Sequence, residues 1–205
     1  MKYLFTYTTC SLLVPETIEV IKKYQELKDW NKVRELVIED NILQKNAISS
    51  RKRIFSELKR RIKSLTNQEL SIITQLGDSQ LKYLVFLSIL KTYRFIYEFM
   101  VEVVLQKYLL FDYKILNSDY ESFFESKQLN VEQLNQITDT TKYKLKQVLF
   151  RMLEEVQIID DTKNKIIKKP YLDEELAKVI ALDNPNYLKG FLYNDYEINQ
   201  IKSKL

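Results

Sequence analysis

The chain contains no histidine. That removes Ser-His-Asp and Cys-His nucleophile systems, zinc sites of the HExxH kind and the facial triad that holds non-haem iron. There is one cysteine, Cys10. An intramolecular disulfide and cysteine-rich zinc sites are therefore both excluded, and Cys10 reads as a small core residue. Gly77 and Gly190 are the only glycines. A phosphate-cradling loop needs several, so that backbone can close on the ligand, and neither a P-loop nor a dinucleotide fingerprint is present. Glu154-Glu155 and Asp160-Asp161 are adjacent pairs whose side chains diverge in a helix or a strand, whereas metal ligands must converge. The fourteen tyrosines read as half-buried packing with an accessible hydroxyl, because a recombinase-type tyrosine nucleophile needs histidine beside arginine. The expectation is a protein without a self-contained active site, without metal or cofactor, and without a small-molecule substrate.

Long uncharged runs are also missing. The most apolar stretch, residues 83–111, is interrupted by Lys91, Arg94, Glu98, Glu102 and Lys107, which argues against a membrane span. The start, residues 1–14, is apolar, carries only Lys2 and lacks an A-x-A-like cleavage site. A cytoplasmic protein that does not enter membranes is the default reading.

What is present favours helices. The 205 residues are 45% hydrophobic and 29% charged, enough for one large domain or two small ones, and Leu, Ile, Lys, Glu and Gln dominate. Pro15-Glu16-Thr17 opens a helix to about Lys28, and Asp29 caps the next, with Trp30, Val33 and Val37 inward. Ser49 or Ser50 caps an amphipathic helix to about Ser64, with Ile54, Leu58, Ile62 and Leu65 on one face. Thr66 and Glu69 have capping-box spacing, and Gly77 suits the C′ position that ends the helix they start. A single hydrophobic helix over about 79–110 forms the centre of a bundle. On it Lys91, Arg94, Glu98 and Glu102 make one stripe, with Arg94–Glu98 pairing at i,i+4.

Beyond the polar and aromatic residues 117–127 the pattern changes. A short helix over 131–137, a turn at 138–141 and a longer helix over 142–156 are followed by Ile158-Ile159 and Ile166-Ile167 around a polar turn. The two β-branched runs predict a hairpin, and helix, turn, helix, hairpin is a winged helix-turn-helix order. A last helix spans about 173–181. The predicted division is a helical N-terminal domain over 1–125, a winged helix-like domain over 126–182 and a tail over 183–205. The fold class is thus mainly α.

The net charge of +4 permits a polyanionic partner, and its distribution is more informative. The helix after Ser50 carries Lys52, Arg53, Lys59, Arg60 and Lys63 opposite its apolar face, with Glu57 its one acid. A helix stabilised by its charges would alternate their signs, so this face reads as a phosphate contact. On the 142–156 helix, Tyr143, Lys144, Gln147 and Arg151 point outward together, as a recognition helix requires. Lys163 and Lys165 sit on the hairpin, followed by Lys168 and Lys169, where a wing meets the adjacent backbone. These eleven residues, Lys52 to Lys165, are the candidate nucleic-acid contacts. The same basic faces would also suit an acidic protein partner.

Five stretches carry a family resemblance: TCSLLVPET (9–17), Asp29-Trp30 through Val33, NILQKNAISSRKRIFSEL (41–58) continuing to Arg61, KTYRFIYEFMVEV (91–103) and TKYKLKQVLFRMLE (141–154). In this order and spacing the chain resembles the BrxA family, a small component of BREX bacteriophage-exclusion systems in bacteria. The resemblance implies a helical fold with a part likened to the antitermination factor NusB, and binding to double-stranded DNA. It implies other BREX subunits as partners, among them a methyltransferase and an ATPase. It carries no catalytic residue. Through the NusB-like part it keeps RNA as an alternative ligand.

Overall fold

Caps written in the sequence set most helix starts. The computed structural model describes residues 3–205, the Thr9 side chain excepted; Met1 and Lys2, the first residues of the apolar start, lie outside the described residues. α1 (Val14–Leu27) has Pro15 and Glu16 in its first turn, and α2 (Trp30–Ile38) is capped by the Asp29 carboxylate, which accepts the Asn31 N–H at 2.8 Å. α3 (Ile48–Ile62) begins one to two residues before the serines expected to cap it. Thr66 and Glu69 form the reciprocal capping box of α4 (Asn67–Ser71). Gly77 is not a C′ residue: with φ at −73° it is the N-cap of α5 (Asp78–Thr92), and α4 instead tightens into a 3-10 turn at Ile72–Thr74.

The single helix expected over 79–110 is divided. α5 stops at Tyr93, whose φ of −115° and ψ of 86° are not helical. α6 (Arg94–Phe99), a π-helical turn (Met100–Val104) and α7 (Leu105–Leu109) then run on without a break. No proline or glycine causes the interruption. Tyr93 is fully buried and turns inward, where its hydroxyl bonds the Glu57 carboxylate of α3. A side-chain anchor therefore overrides helix propensity at one residue.

The polar segment 117–127 folds as α8 (Asn117–Gln128), with Tyr120, Phe123 and Phe124 buried. A 3-10 turn (Glu132–Gln136) leads to α9 (Asp139–Glu155), capped by Thr138 and three residues longer at its start than the pattern suggested. α10 (Glu174–Asp183) is capped by Asp173. The chain after Pro185 forms a 3-10 segment (Pro185–Phe191) and α11 (Asp195–Lys202), and Leu188, Phe191 and Leu192 are fully buried. Gly190 lies where this segment meets α5: a Cβ there would stand 2.5 Å from Leu90 Cδ1.

The winged helix with its β-hairpin does not form, because the described residues contain no strand. Ile159 and Ile167 make one isolated antiparallel bridge, and Ile166 makes another with Lys114. The turn itself explains the shortness. Asp160 accepts the N–H groups of Asp161 and Ile166, Asp161 accepts those of Lys163 and Asn164, and Lys165 takes a left-handed φ of 57°. These local bonds occupy donors that a ladder would use. The second β-branched run is drawn to residues 113–115 as well, through Ile167 N–H to the Tyr113 carbonyl and Ile115 N–H to the Lys165 carbonyl.

One connected core joins buried residues from Tyr3 to Ile198. Its centre is aromatic: Phe95 and Phe99 of α6 meet Tyr120 and Phe123 of α8 edge-on, and Phe99 meets Phe150 of α9 perpendicularly at 5.9 Å. Such edge-on pairs add about 0.5–1.5 kcal/mol each beyond burial.

Ion pairs fasten the elements around that core. Lys91 of the predicted stripe bridges Glu69 of α4 at 2.7 Å and Asp183 of α10 at 3.0 Å. Glu98 takes Arg94, as expected at i,i+4, and also Lys127 of α8 and the Tyr3 hydroxyl. Burial pushes the Glu98 carboxyl up, but hydrogen bonds from Tyr3, Lys127 and Arg94 outweigh it and hold it below the ordinary carboxylate range. A carboxyl with a depressed folded pKa stabilises fully above the unfolded value and loses that contribution as pH falls through the lowered one. Thermal denaturation between pH 7 and pH 3 (a range of about four units) is expected to show a fall in Tm beginning below the ordinary glutamate value. Glu98→Gln should start lower and fall less steeply, and an unchanged slope would count against this assignment.

Candidate nucleic-acid interface

The basic face of α3 splits into two edges. Residues seven apart return to nearly the same azimuth on a helix of about 3.6 residues per turn. Lys52, Lys59 and Lys63 therefore share one edge, and Arg53 and Arg60 share another about 100° away. The first edge faces α2. Lys52 and Lys63 are exposed, and the Lys59 ammonium lies 5.4 Å from the centre of the Trp30 ring, which is itself stacked on Tyr24.

The second edge is crossed by the N-terminal segment. The Arg60 guanidinium reaches Thr6 and Glu57. Arg61, part of the basic run by sequence, is fully buried: its Nε bonds Glu57 at 2.6 Å and its Nη1 bonds the carbonyls of Ser11 and Leu12. Glu57 also receives the Tyr93 hydroxyl. Removing one member of a buried pair leaves the other charge uncompensated, at a cost of about 3–5 kcal/mol.

Farther along that edge Arg53 is exposed, and among the described residues it has no ion-pair partner. It lines a groove of about 430 Å3 with Thr8, Ser11, Lys144 and Arg151, so α3 and α9 supply cations to the same depression. A second groove of about 580 Å3 shares Lys144, Val148 and Arg151 with the first. It adds Tyr143, Gln147 and Lys165, together with Asn117 and Glu154. The two adjoin along this row of α9. Tyr143 is 67% exposed, Lys144 bonds Gln147 at 3.0 Å, and Arg151 stands 3.5 Å from Glu155. The Lys165 ammonium lies over the Phe150 ring at 5.3 Å. Lys163 is exposed on the turn beside it.

The structure thus brings together Arg53, Tyr143, Lys144, Gln147, Arg151 and Lys165, with Lys163 at the margin. It does not bring Lys52, Lys59, Arg60 or Lys63 to this groove. Sequence reasoning missed Thr8, Ser11 and Asn117, which line the floor and wall. No periodic signal could have found them, since they come from an irregular segment and a helix start.

Tyr3, Tyr7, Tyr93 and Tyr120 all have their hydroxyls pushed above the ordinary tyrosine value, chiefly by burial, and Tyr93 reaches about 12 with added repulsion from Glu57. No group of three or more His, Cys, Asp or Glu among the described residues could hold a metal ion. No described helix is long and apolar enough to cross a membrane.

Arg61→Ala is expected to lower stability by about 3–5 kcal/mol in urea denaturation. Lys52→Ala, at an exposed position outside the network, should stay within about 0.5 kcal/mol. Equal effects would show that Arg61 is not the fastening described.

A solved structure of an uncharacterized protein from Magnetospirillum magneticum shares the fold, with a TM-score of 0.81 over 94% of this chain and 98% of that one at 21% identity. The BREX protein BrxA of Bacillus cereus (strain H3081.97) is 35% identical over 161 residues, 76% of this chain and 79% of the relative. The BrxA family model matches residues 1–184, and the chain belongs to the BrxA family.

Proposed function

We propose that the protein acts in BREX phage defence, alongside other BREX subunits, as a non-enzymatic double-stranded DNA-binding component that works in the cytoplasm. Family membership supports the BREX role, and the curated relative bears the name BREX protein BrxA. The observation that carries the DNA reading is that Lys144 and Arg151 of α9 line two adjoining grooves, one with Arg53 of α3 and the other with Lys165 of the 160–167 turn. Four cations against the two carboxylates of Glu154 and Glu155 leave an excess of positive charge that suits a polyanion. Phosphate contacts of this kind fix position on a duplex, while Tyr143 and Gln147, exposed in the first half of α9, are the side chains offered to base edges.

Lys52, Lys59 and Lys63 form a secondary phosphate-contacting edge, and Arg60 contributes through its partial exposure. The contribution of these four is smaller than that of the groove, because Lys59 and Arg60 are already engaged by Trp30 and by Glu57 with Thr6.

Fluorescence anisotropy with a labelled duplex of about 30 base pairs, repeated across a salt series, tests the reading. Log K is expected to fall with log salt at about 0.9 per phosphate neutralised. The triple variant Arg53→Gln, Lys144→Gln, Arg151→Gln should bind more weakly and lose about 3 from that slope. Lys202→Gln with Lys204→Gln, at the far end of α11, should behave as wild type. Indifference of the wild type to duplex at low salt would overturn the DNA reading. Retention of an acidic BREX subunit on the same groove would then put the adaptor reading in its place, and preference for structured RNA in competition would put RNA there.

A further inference from the structure

The charges of α3 stand on both sides of its outward ridge. Ile54, Phe55, Glu57, Leu58, Arg61 and Ile62 are buried, and at about 100° per residue the side opposite them is centred on Ser49 and Ser56. Both serines are exposed, and being seven residues apart they lie nearly in line along the ridge. Ser56 turns its hydroxyl back onto the Lys52 carbonyl of its own helix at 2.9 Å, so the crest is low. Lys52, Lys59 and Lys63 flank it on one side, and Arg53 and Arg60 on the other. The one acid of the helix, Glu57, is turned inward.

Two rows of cations beside a low ridge differ from a flat basic face. A flat face meets one row of phosphates, whereas two rows match the two strands that border a groove. The major groove of a duplex, about 12 Å wide, admits a helix whose diameter with side chains is about 10–12 Å, and the minor groove, about 6 Å wide, does not. The 15 residues of α3 give a length of about 22 Å, roughly two-thirds of a duplex turn of about 34 Å.

The side chains on the ridge suit phosphate better than protein. Among the described residues Lys52, Arg53 and Lys63 form no ion pair. Lys59 lies over the Trp30 ring, which is itself stacked on Tyr24. The ridge therefore presents no open aromatic anchor of the kind that centres protein interfaces.

From these observations we infer that α3 seats in the major groove of duplex DNA, with its serine crest toward the base edges, its lysine row on the phosphates of one strand and its arginine row on those of the other. This seat rests on the DNA reading and names the element that enters the duplex. The strand on the arginine side runs into the depression between α3 and α9, where Lys144 and Arg151 meet it. Small residues on the crest let the helix come close to the bases. A serine hydroxyl both donates and accepts, so it meets any base edge and the seat favours shape over sequence.

Fluorescence anisotropy on the full chain with two duplexes of about 30 base pairs is the test, one unmodified and one carrying bulky groups on C5 of its pyrimidines, which project into the major groove. The wild type should bind the unmodified duplex and lose at least about tenfold on the modified one. Ser56→Trp sets an indole on the crest, and it should weaken binding to the unmodified duplex at least about tenfold at unchanged helix content and Tm. Ser49→Trp should do the same, and Ser56→Ala should bind as wild type. A wild type that binds the two duplexes alike, or Ser49→Trp and Ser56→Trp that both bind as wild type, overturns the inference and leaves the DNA reading standing. A wild type that binds neither duplex overturns both.

Discussion

The buried carboxylate of Glu57 is the point on which the rest of the arrangement depends. It gathers Arg61 from its own helix, the Tyr93 hydroxyl from the break between α5 and α6, and Arg60 at its edge. Arg61 in turn donates to the carbonyls of Ser11 and Leu12. An irregular N-terminal segment is thereby fixed across α3, although it has no regular structure of its own beyond one 3-10 turn. Ion pairs taken out of water contribute little net stability, but leaving one member alone is costly. Such a network therefore specifies position more than it adds energy.

Position is what the groove needs. The Leu12 N–H donates to Glu155 at 2.8 Å, so the segment held by Arg61 also reaches α9. Arg53 and Arg151 face the same depression because α3 and α9 are both tied to residues 11–12. The two grooves share Lys144, Val148 and Arg151, and the 160–167 turn brings Lys165 to the second of them. A basic surface assembled from three separated stretches of chain is a consequence of buried polar contacts rather than of any one helix.

The sequence by itself determined the helical class, most helix starts and the inward faces. Asp29, Thr66, Thr138 and Asp173 are caps whose bonds are local, and the i,i+4 rows of α3 and α9 follow from helical period alone. It also determined that histidine-dependent chemistry is excluded, since a residue type that these 205 residues lack cannot be supplied by folding. Helical period sets Arg61 beside Ile54 on the inward side of α3, but only the tertiary structure decided that its charge is met there, by Glu57 and by the carbonyls of Ser11 and Leu12. Local bonds within the 160–166 turn reduced the hairpin to single bridges, and tertiary contacts divided the 79–110 helix at Tyr93 and folded the tail beyond Pro185. In the latter two cases a long-range bond or a shared apolar contact outweighed a local preference of a few tenths of a kcal/mol to about 1 kcal/mol per residue.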